Sequence, residues 1–285
     1  MKFAAVASTL LLAGSALAAP NTAKRQAAHR KRAEGKTSKP VNYVRDSNGN
    51  IKTGVSNDTF VSYSTNWAGA VLVGTGYTAV TAEFKAPTPS TEGSGATWVG
   101  IDGDTCSTAI LQTGIDWTYS GGSVTYDAWY EWYPDYSYDF SDLTISAGDT
   151  IKATVKASSK TSGTATVENV STGESQTHSF SGEGSEGDLC EENAEWIVEA
   201  YEEDGSQVTL ADFGTETFSS ASATQDGSSV GPDGSTIIDM QSDSGSTVVT
   251  CSSGSSTVKC TFKYSHPRFI VDYFMLDFSK AGPGP

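Results

Sequence analysis

The stretch VTYDAWYEWYP, residues 124–134, alternates its side chains with a period of two and ends in a proline. In an extended strand this period places Asp127, Trp129 and Glu131 on one face and a second, mostly aromatic set on the other. Both faces are therefore too apolar for an ordinary solvent-exposed strand. Two carboxylates beside a tryptophan favour a cleft that binds an extended polymer, either peptide or glycan. The alternative is a solvated outer face with one packed tryptophan.

Similar short segments fill the chain from Val61 onward, with apolar residues at alternating positions and Gly, Asp, Ser or Pro between them. The clearest are AVLVGTGYTAVTAEF (70–84), TWVGIDG (97–103), AILQTGIDW (109–117), TIKATVKAS (150–158) and STIIDM (235–240). Many short strands separated by turn residues are typical of antiparallel sheets. The sequence therefore predicts an all-β fold, and specifically an antiparallel β-sandwich.

Two segments stand apart from this pattern. The Ser- and Gly-rich stretch 219–235 predicts a loop. The segment EENAEWIVEAYEED, residues 191–204, has apolar residues at helical spacing, yet it also alternates well enough for a strand. The pattern alone does not choose between helix and strand here.

The N-terminal region divides into two parts before the main domain. Residues 1–18 carry Lys2, an apolar run and small residues at the end, which is the pattern of a signal peptide. Residues 19–55 carry nine basic and two acidic side chains, whereas residues 56–285 carry eight basic and 32 acidic ones. Paired basic residues after a signal peptide are natural processing points, so we expect 19–55 to be a basic pro-segment. Residues 56–285 would then form one secreted, extracellular domain, and no segment is apolar for long enough to span a membrane.

Four cysteines lie in the exported part of the chain, where disulfides persist. They are Cys106, Cys190, Cys251 and Cys260, and three pairings are possible. Cys251 and Cys260 flank the turn-rich segment SSGSSTVK, so a short hairpin staple is the cheapest closure, leaving Cys106 to pair with Cys190. With all four paired, no thiol nucleophile remains.

Two polar residues within apolar strands are candidates for chemistry. A strand over 109–117 places Gln112 and Asp116 on one face, although a lone glutamine is usually only a polar strand residue. Glu199 shares a face with Glu195 if residues 193–199 form a strand. A carboxylate among apolar neighbours can be buried with a raised pKa, as general bases often are, or can simply face solvent. Spacing does not decide between these.

Other kinds of site are disfavoured by residue type. The chain has three histidines, one of them in the removable segment, so neither a Ser/His/Asp triad nor a histidine-based zinc site is expected. No P-loop or dinucleotide fingerprint occurs, and we predict no metal and no cofactor. The acidity of residues 56–285 also argues against a nucleic-acid partner.

Five segments together carry a family resemblance. They are YSTNWAGAVL (63–72), TWVGIDGDTC (97–106), AILQTGIDW (109–117), YDAWYEWYPD (126–135) and NAEWIVE (193–199). In this order they resemble the fungal glutamic peptidases, or eqolisins. The combination of WVGIDGDTC, ILQTG and YDAWYEWYP is far more specific than any one motif.

The resemblance implies a sandwich of two curved sheets, like that of concanavalin-type lectins, and an acid endopeptidase acting on polypeptides. It assigns catalysis to Gln112 in ILQTG and to Glu199 at the end of NAEWIVE. It also assigns four residues to positions that line or support the substrate cleft, namely Trp98, Asp102, Asp127 and Glu131.

The same resemblance favours a strand for NAEWIVE and pairs Cys106 with Cys190 and Cys251 with Cys260. The tail after Cys260 is longer and more apolar than the family pattern, and no function is carried over to it. We further expect a monomer whose basic pro-segment docks over the acidic cleft near Asp102, Asp127 and Glu131 and inhibits it.

Two other functions compete with the peptidase interpretation. A β-sandwich of this kind also hosts glycosidases that use two carboxylates, which here would be Glu131 and Glu199. A non-catalytic carbohydrate-binding module using the aromatic face is the third possibility.

Overall fold

A computed structural model of the 285-residue chain describes residues 35–56 and 59–263. The expected signal peptide, the start of the pro-segment and nearly all of the C-terminal tail lie outside these residues. Within them, regular structure consists of strands and one short 3-10 turn, Glu183–Ser185. No helix in 35–56 or 59–263 has the length and apolar character needed to cross a membrane.

The strands are short and are separated by tight turns, as the alternating segments predict. In chain order they are β1 (Lys36–Thr37), β2 (Thr53–Ser56), β3 (Thr59–Ser64), β4 (Trp67–Val73), β5 (Tyr77–Lys85), β6 (Gly93–Ile101), β7 (Ile110–Ser120), β8 (Ser123–Tyr133), β9 (Tyr138–Asp139), β10 (Thr150–Ser159), β11 (Ser162–Asn169), β12 (Glu174–Ser181), β13 (Asn193–Glu199), β14 (Glu202–Glu203), β15 (Ser206–Gln207), β16 (Thr215–Gln225), β17 (Ser228–Val230), β18 (Thr236–Gln241), β19 (Thr247–Ser253) and β20 (Val258–Phe262).

The first layer of the sandwich runs in the order β9–β8–β7–β6–β13–β4–β18–β3–β2. Its pairs are antiparallel except for β18 with β3, which is parallel. Strand β13 lies between β4 and β6, and all seven of its residues are buried. NAEWIVE is therefore a strand, as the resemblance favoured, because both of its faces are covered.

The second layer runs in the order β12–β11–β10–β5–β16–β17, and all of its pairs are antiparallel. Strand β16 belongs to both layers. Its first residues pair with β20, which β19 joins to β18 of the first layer, and its later ones pair with β5. The loop predicted for 219–235 is therefore wrong over residues 228–230 of β17 and over residues 219–225 of β16. There the small apolar residues Ala221 and Ala223 alternate with polar ones and are buried, which is enough for a strand.

The main core lies between the two layers and is rich in aromatic residues. Phe84 of β5 meets Phe218 of β16 edge to face, with ring centroids 5.6 Å apart. Such large side chains dominate the burial that stabilises a sandwich. A second apolar cluster covers the opposite face of the first layer. It consists of Trp67, Val71, Ala96, Trp98, Ile110, Trp129, Ile197, Tyr201 and Ile238.

Both predicted disulfides are confirmed. Cys251 and Cys260 are cross-strand partners on β19 and β20, so their bond staples a hairpin. The bond between Cys106 and Cys190 spans 84 residues and ties the segment after β6 to the segment before β13. In the chain-entropy model a bridge of that span stabilises the fold by roughly 4 kcal/mol.

Candidate active site

Four neighbouring strands, β8, β7, β6 and β13, bring polar side chains onto one face of the first layer. Gln112 on β7 lies opposite Glu131 on β8, and Glu199 on β13 lies opposite Ala96 on β6. The alternation predicted for these segments is therefore observed, because side chains two residues apart share a face. The face has an apolar floor of tryptophan and isoleucine side chains, on which the polar groups are set.

Gln112 is completely buried, and its amide nitrogen makes two hydrogen bonds. The Nε2 group donates to Glu131 Oε2 at 3.2 Å and to the backbone carbonyl of Ser38 at 2.9 Å. Its Oε1 atom has no hydrogen-bond partner among the described residues. The carboxyl of Glu131 and the carbonyl of Ser38 are both acceptors, and this fixes which end of the amide faces them.

Glu131 is also fully buried and receives donors from the same short segment. Thr37 Oγ1 donates to Glu131 Oε1 at 2.8 Å, and the Ser38 amide donates to Oε2 at 3.1 Å. Burial raises the pKa of Glu131 well above its usual value, although both of these donors act to lower it. Glu131 therefore anchors Gln112 on one side and residues 37–38 on the other, through the Thr37 hydroxyl and the Ser38 amide.

Glu199 lies at the other end of the polar group and is held by an indole. Trp98 Nε1 donates to Glu199 Oε2 at 2.8 Å, and the ring of Trp67 packs edge to face on Trp98 with centroids 5.0 Å apart. Burial raises the pKa of Glu199 to about 8, against hydrogen bonds from the Ser38 hydroxyl and Trp98 that lower it. With residues 36–38 in place, Glu199 is therefore neutral in acid.

A glycine lets Trp98 lie flat beside these groups. A Cβ added at Gly100 would lie 2.8 Å from the Trp98 ring and 3.3 Å from the Gln112 Cβ. Real Cβ atoms do not approach so closely, so any larger residue at this position would displace the indole. Gly100 therefore preserves the contact between Trp98 and Glu199.

Residues 36–38 of the expected pro-segment cross this face as a short strand. Strand β1 pairs antiparallel with β14, with Lys36 opposite Glu203. Lys36 Nζ lies 2.6 Å from Asp116 Oδ2 and 3.7 Å from Asp127 Oδ2. A cavity of about 10 Å³ lies beneath this strand, beside Lys36, Asp116 and Tyr201. That volume is at the lower limit for a single water molecule, so the strand packs closely on this end of the cleft.

The ion pair of Lys36 with Asp116 is buried, and burial and charge act in opposite directions on the pKa of each partner. Burial lowers the pKa of Lys36, but the acidic neighbours Asp116, Tyr201 and Asp127 together outweigh this and keep the ammonium group charged. Burial raises the pKa of Asp116 to about 7, with Lys36 acting to lower it and Asp127 adding to the rise. Protonation of Asp116 in acid therefore weakens the pair.

The structure brings most of the predicted site residues together, but not Asp102. The pairs Gln112–Glu131 and Trp98–Glu199 lie on one face of four adjacent strands, and partly exposed Asp127 lies near them beside Lys36. Asp102 instead accepts four backbone amides, those of residues 190–193, at 2.7 to 3.1 Å. Its contacts make it a brace for the segment leading into β13, and they do not favour contact with substrate.

Two groups in the site were not singled out from the sequence. Asp116 shares a face with Gln112, which the period of two indicated, but nothing in the pattern gave it a partner. Tyr201 follows β13 and lies under Lys36, with the ammonium group 5.8 Å from its ring centre. Contact with Lys36 is the signal that identifies both Asp116 and Tyr201 as site residues. Lys36 reaches the site only in the folded chain, so a local sequence pattern does not reveal this contact.

Comparisons with known proteins agree with this geometry. The model of the Peptidase A4 family matches residues 65–262. Aspergillopepsin-2 of Aspergillus niger is 51% identical, over 90% of this chain and 98% of its own length. Scytalidopepsin B of Scytalidium lignicola is 43% identical, over 92% of this chain and 100% of its own length.

Solved structures give the same result. A scytalido-glutamic peptidase bound to a transition-state analogue inhibitor has a TM-score of 0.64 and 46% identity, covering 70% of this chain and 98% of that one. Aspergilloglutamic peptidase from Aspergillus niger has a TM-score of 0.58 and 59% identity, covering 60% and 99%. Sequence, fold and site thus point the same way, and the chain belongs to the Peptidase A4 family of glutamic peptidases.

Proposed function

We propose that this peptidase is a secreted acid endopeptidase in which Glu199 activates water and Gln112 stabilises the oxyanion. The observation that carries the proposal is the extended backbone lying between the two side chains. The carbonyl of Ser38 accepts a hydrogen bond from Gln112 Nε2 at 2.9 Å, and the Glu199 carboxyl, held by Trp98, lies on the same face of the sheet. A substrate carbonyl in that position would be polarised by the amide and open to attack from the carboxylate side.

The chemistry follows from these positions. Glu199, once ionised, takes a proton from a water molecule that attacks the carbonyl carbon, and later returns it to the leaving amine. Negative charge that develops on the carbonyl oxygen is stabilised by the Gln112 amide N–H. A side-chain amide does not titrate, so this donor works unchanged in acid, where a histidine base would be protonated.

Glu131 and Trp98 position the proposed dyad. Glu131 holds Gln112 Nε2 toward the cleft, and Trp98 Nε1 holds one oxygen of Glu199. Both contacts are between buried groups in neighbouring strands, so they hold the proposed dyad in fixed geometry.

The first test is substitution of the proposed dyad. Gln112→Ala and Glu199→Gln are each expected to abolish hydrolysis of unfolded protein at acid pH. Loss of one oxyanion donor alone costs roughly 3 to 4 kcal/mol in the barrier, or about 10² to 10³ in rate. Exposed Glu186→Gln is the matched control and keeps full activity. Turnover within tenfold of the wild type in either dyad variant would refute the assignment.

The contacts of residues 36–38 support the pro-segment as an inhibitor of the same cleft. Its Lys36 forms an ion pair with Asp116, and its Thr37 and Ser38 donate hydrogen bonds to Glu131. Each of these contacts lowers the pKa of the carboxyl that it touches, so each favours the ionised form and weakens on protonation. Acid therefore loosens the segment. Because burial raises the pKa of these carboxyls, the loosening begins at a higher pH than the range in which exposed carboxyls titrate.

A synthetic peptide of residues 20–55, added to the acid-activated enzyme, tests this inhibitor. We expect inhibition at pH 6 in low salt that weakens in high salt and at lower pH, because exposed charges are screened beyond about 8 to 10 Å. A peptide with Lys36→Ala is the matched control and should inhibit less. A wild-type peptide that is inert at pH 6 in low salt would exclude the proposal.

Export is proposed from the N-terminal pattern and is consistent with two disulfides in the domain. Expression of the full chain and of a form lacking residues 1–18 in a secreting host would test it. The full chain should accumulate in the medium and the shortened form should stay inside the cell.

A further inference from the structure

A groove lies where strands β13, β18 and β20 end, and neither Gln112 nor Glu199 lines it. Its volume is about 810 Å³, within the usual range of ligand-binding pockets. We call it the end groove. Its large apolar residues come from the segment after β15 and from β18, β19 and β20. They are Val208, Leu210, Met240, Val248 and Phe262.

The floor of the end groove is an open edge of the main core. Four of its five large apolar residues, all except Met240, are only partly buried and pack against the buried residues between the layers. Phe262 also meets Phe213 edge to face, with ring centroids 5.9 Å apart. The described part of the chain therefore leaves a contiguous apolar surface uncovered here. Such surfaces mark sites of interaction.

Backbone hydrogen bonds hold the end groove in shape. The segment after β15 is tied to β6, because the Ser94 amide donates to the Thr209 carbonyl at 2.9 Å and the Ala211 amide donates to the Ser94 carbonyl at 3.2 Å. On the opposite wall, the Phe262 amide donates to the Gly214 carbonyl at 2.9 Å. The groove is therefore preformed, which lowers the ordering cost of filling it.

The chain beyond the described residues starts at the wall of this groove. The Lys263 amide donates to the carbonyl of Val248, a lining residue, at 2.7 Å. The Peptidase A4 match ends at residue 262, so the tail extends beyond the family match. Its segment 269–278, FIVDYFMLDF, has eight apolar residues in ten and begins six residues after Lys263. An extended chain spans at most about 3.6 Å per residue, so this apolar block begins within about 22 Å of the groove wall.

Charge favours contact between the same two parts of the chain. Three acidic residues line the end groove, and none of the described residues that line it is basic. These acidic residues are Glu92, Asp212 and Asp243. Residues 263–268, which lead to the apolar block, carry a lysine, a histidine and an arginine and no acidic side chain. Opposite charges therefore attract the start of the tail to the rim of the groove.

We propose that the tail docks on its own domain, with the apolar block 269–278 on the floor of the end groove and the basic residues before it along the acidic rim. The tether makes this binding intramolecular, at an effective concentration in the millimolar range. The chain's own tail is therefore favoured over a second copy or a separate partner. A docked tail closes the open edge of the main core, so it stabilises the domain without entering the catalytic cleft.

Photo-crosslinking identifies the occupant of the groove. The full chain would carry the photoreactive residue p-benzoylphenylalanine in place of Phe274, together with Gln112→Ala to prevent self-digestion. We expect crosslinks within one chain to segments 207–212 and 240–248, which mass spectrometry of the digested product would locate. Crosslinks that join two copies, crosslinks only to other parts of the chain, or none at all would overturn the proposal.

Thermal unfolding of the full chain, again with Gln112→Ala, measures what docking contributes. The double substitution Phe269→Ser and Phe274→Ser should lower the midpoint by about 5 to 10 °C, because two rings lose their apolar contacts. Ala281→Ser lies in the tail but outside the apolar block, and this matched control should leave the midpoint unchanged. A midpoint that is the same with and without the two phenylalanines would refute docking.

A double-mutant cycle connects this loss to the groove itself. Leu210→Ser removes part of the floor, so the two tail substitutions should then lower the midpoint by less than half as much as they do with Leu210 present. Val230 is the matched control, because it also packs partly buried against the main core but does not line the groove. In Val230→Ser protein the tail substitutions should keep their full effect. The same loss in the Leu210→Ser and Val230→Ser backgrounds would contradict docking in this groove.

Discussion

Replacing Glu216 by glutamine should remove a large part of the pH dependence of stability. Glu216 lies on β16, far along the chain from the proposed dyad, and is 2% exposed. It shares a strand face with Phe218, so it faces the core, and among the described residues its carboxyl accepts backbone donors such as the Thr217 amide at 3.0 Å. Burial raises its pKa to about 8, against those hydrogen bonds.

The sign and size of the effect follow from linkage. A carboxyl with a raised pKa in the folded state binds its proton more tightly there, so its contribution is full below the unfolded pKa. That contribution is lost as the pH rises through the folded value of about 8. A shift of this size corresponds to a loss on the order of 4 to 5 kcal/mol as an upper limit, since one pKa unit is about 1.4 kcal/mol.

Urea denaturation followed by tryptophan fluorescence at pH 5, 7 and 9 would measure this effect. The chain should carry Gln112→Ala, a substitution that adds no charge and is expected to prevent self-digestion. We expect the free energy of unfolding to fall between pH 5 and pH 9 in the protein that retains Glu216. The fall should be several kcal/mol smaller in the Glu216→Gln variant. Exposed Glu186→Gln should leave the profile unchanged. Parallel pH profiles for Glu216 and Glu216→Gln would refute the argument that burial sets this pKa.

Trp98→Phe keeps the apolar floor but removes the N–H donor to Glu199, so kcat should fall about tenfold or more and the acidic limb of its pH profile should move up, as assayed on a fluorogenic peptide. Gly100→Ala should reduce activity similarly while far-UV circular dichroism stays unchanged, because the new Cβ meets the Trp98 ring at 2.8 Å. Asp116→Asn should weaken inhibition by the wild-type peptide of residues 20–55 at pH 6 and make it less sensitive to salt, since the ion pair with Lys36 is lost. Chelators and thiol reagents should leave acid activity intact, and inhibition by either would contradict the proposed chemistry.

The alternating segments were sufficient to predict the all-β fold, because a period of two specifies which side chains share a face. They also predicted correctly that Asp127, Trp129 and Glu131 lie together on one face, and that Gln112 and Asp116 lie together on another strand. The prediction was wrong where a Ser- and Gly-rich composition suggested a loop. Residues 219–225 look like a flexible Ser/Gly loop, but two buried alanines are enough to hold them in β16.

The site itself depended on information that a local pattern does not carry. Gln112 and Glu199 are 87 residues apart in sequence and reach the same face of the sheet only because β13 inserts between β4 and β6. Family resemblance supplied that pairing, and family membership favours the peptidase over the glycosidase and binding-module alternatives. Asp102 accepts amides of residues 190–193, and Asp116 pairs with Lys36. These partners are distant in sequence, so no spacing rule could have predicted the two contacts.

The proposed dyad and its two supporting side chains are carried by four adjacent strands and by no loop. Strand spacing in a sheet is about 4.8 Å and each pair is locked by its hydrogen-bond ladder. A slip of one residue in β7 would turn Gln112 away from the cleft and bring a neighbouring side chain in its place. Insertions, deletions or new chain termini in the connecting turns have no such effect. Evolution can therefore alter the rim of this enzyme through its loops, and a circular permutant opened at the turn between β11 and β12 should retain the chemistry.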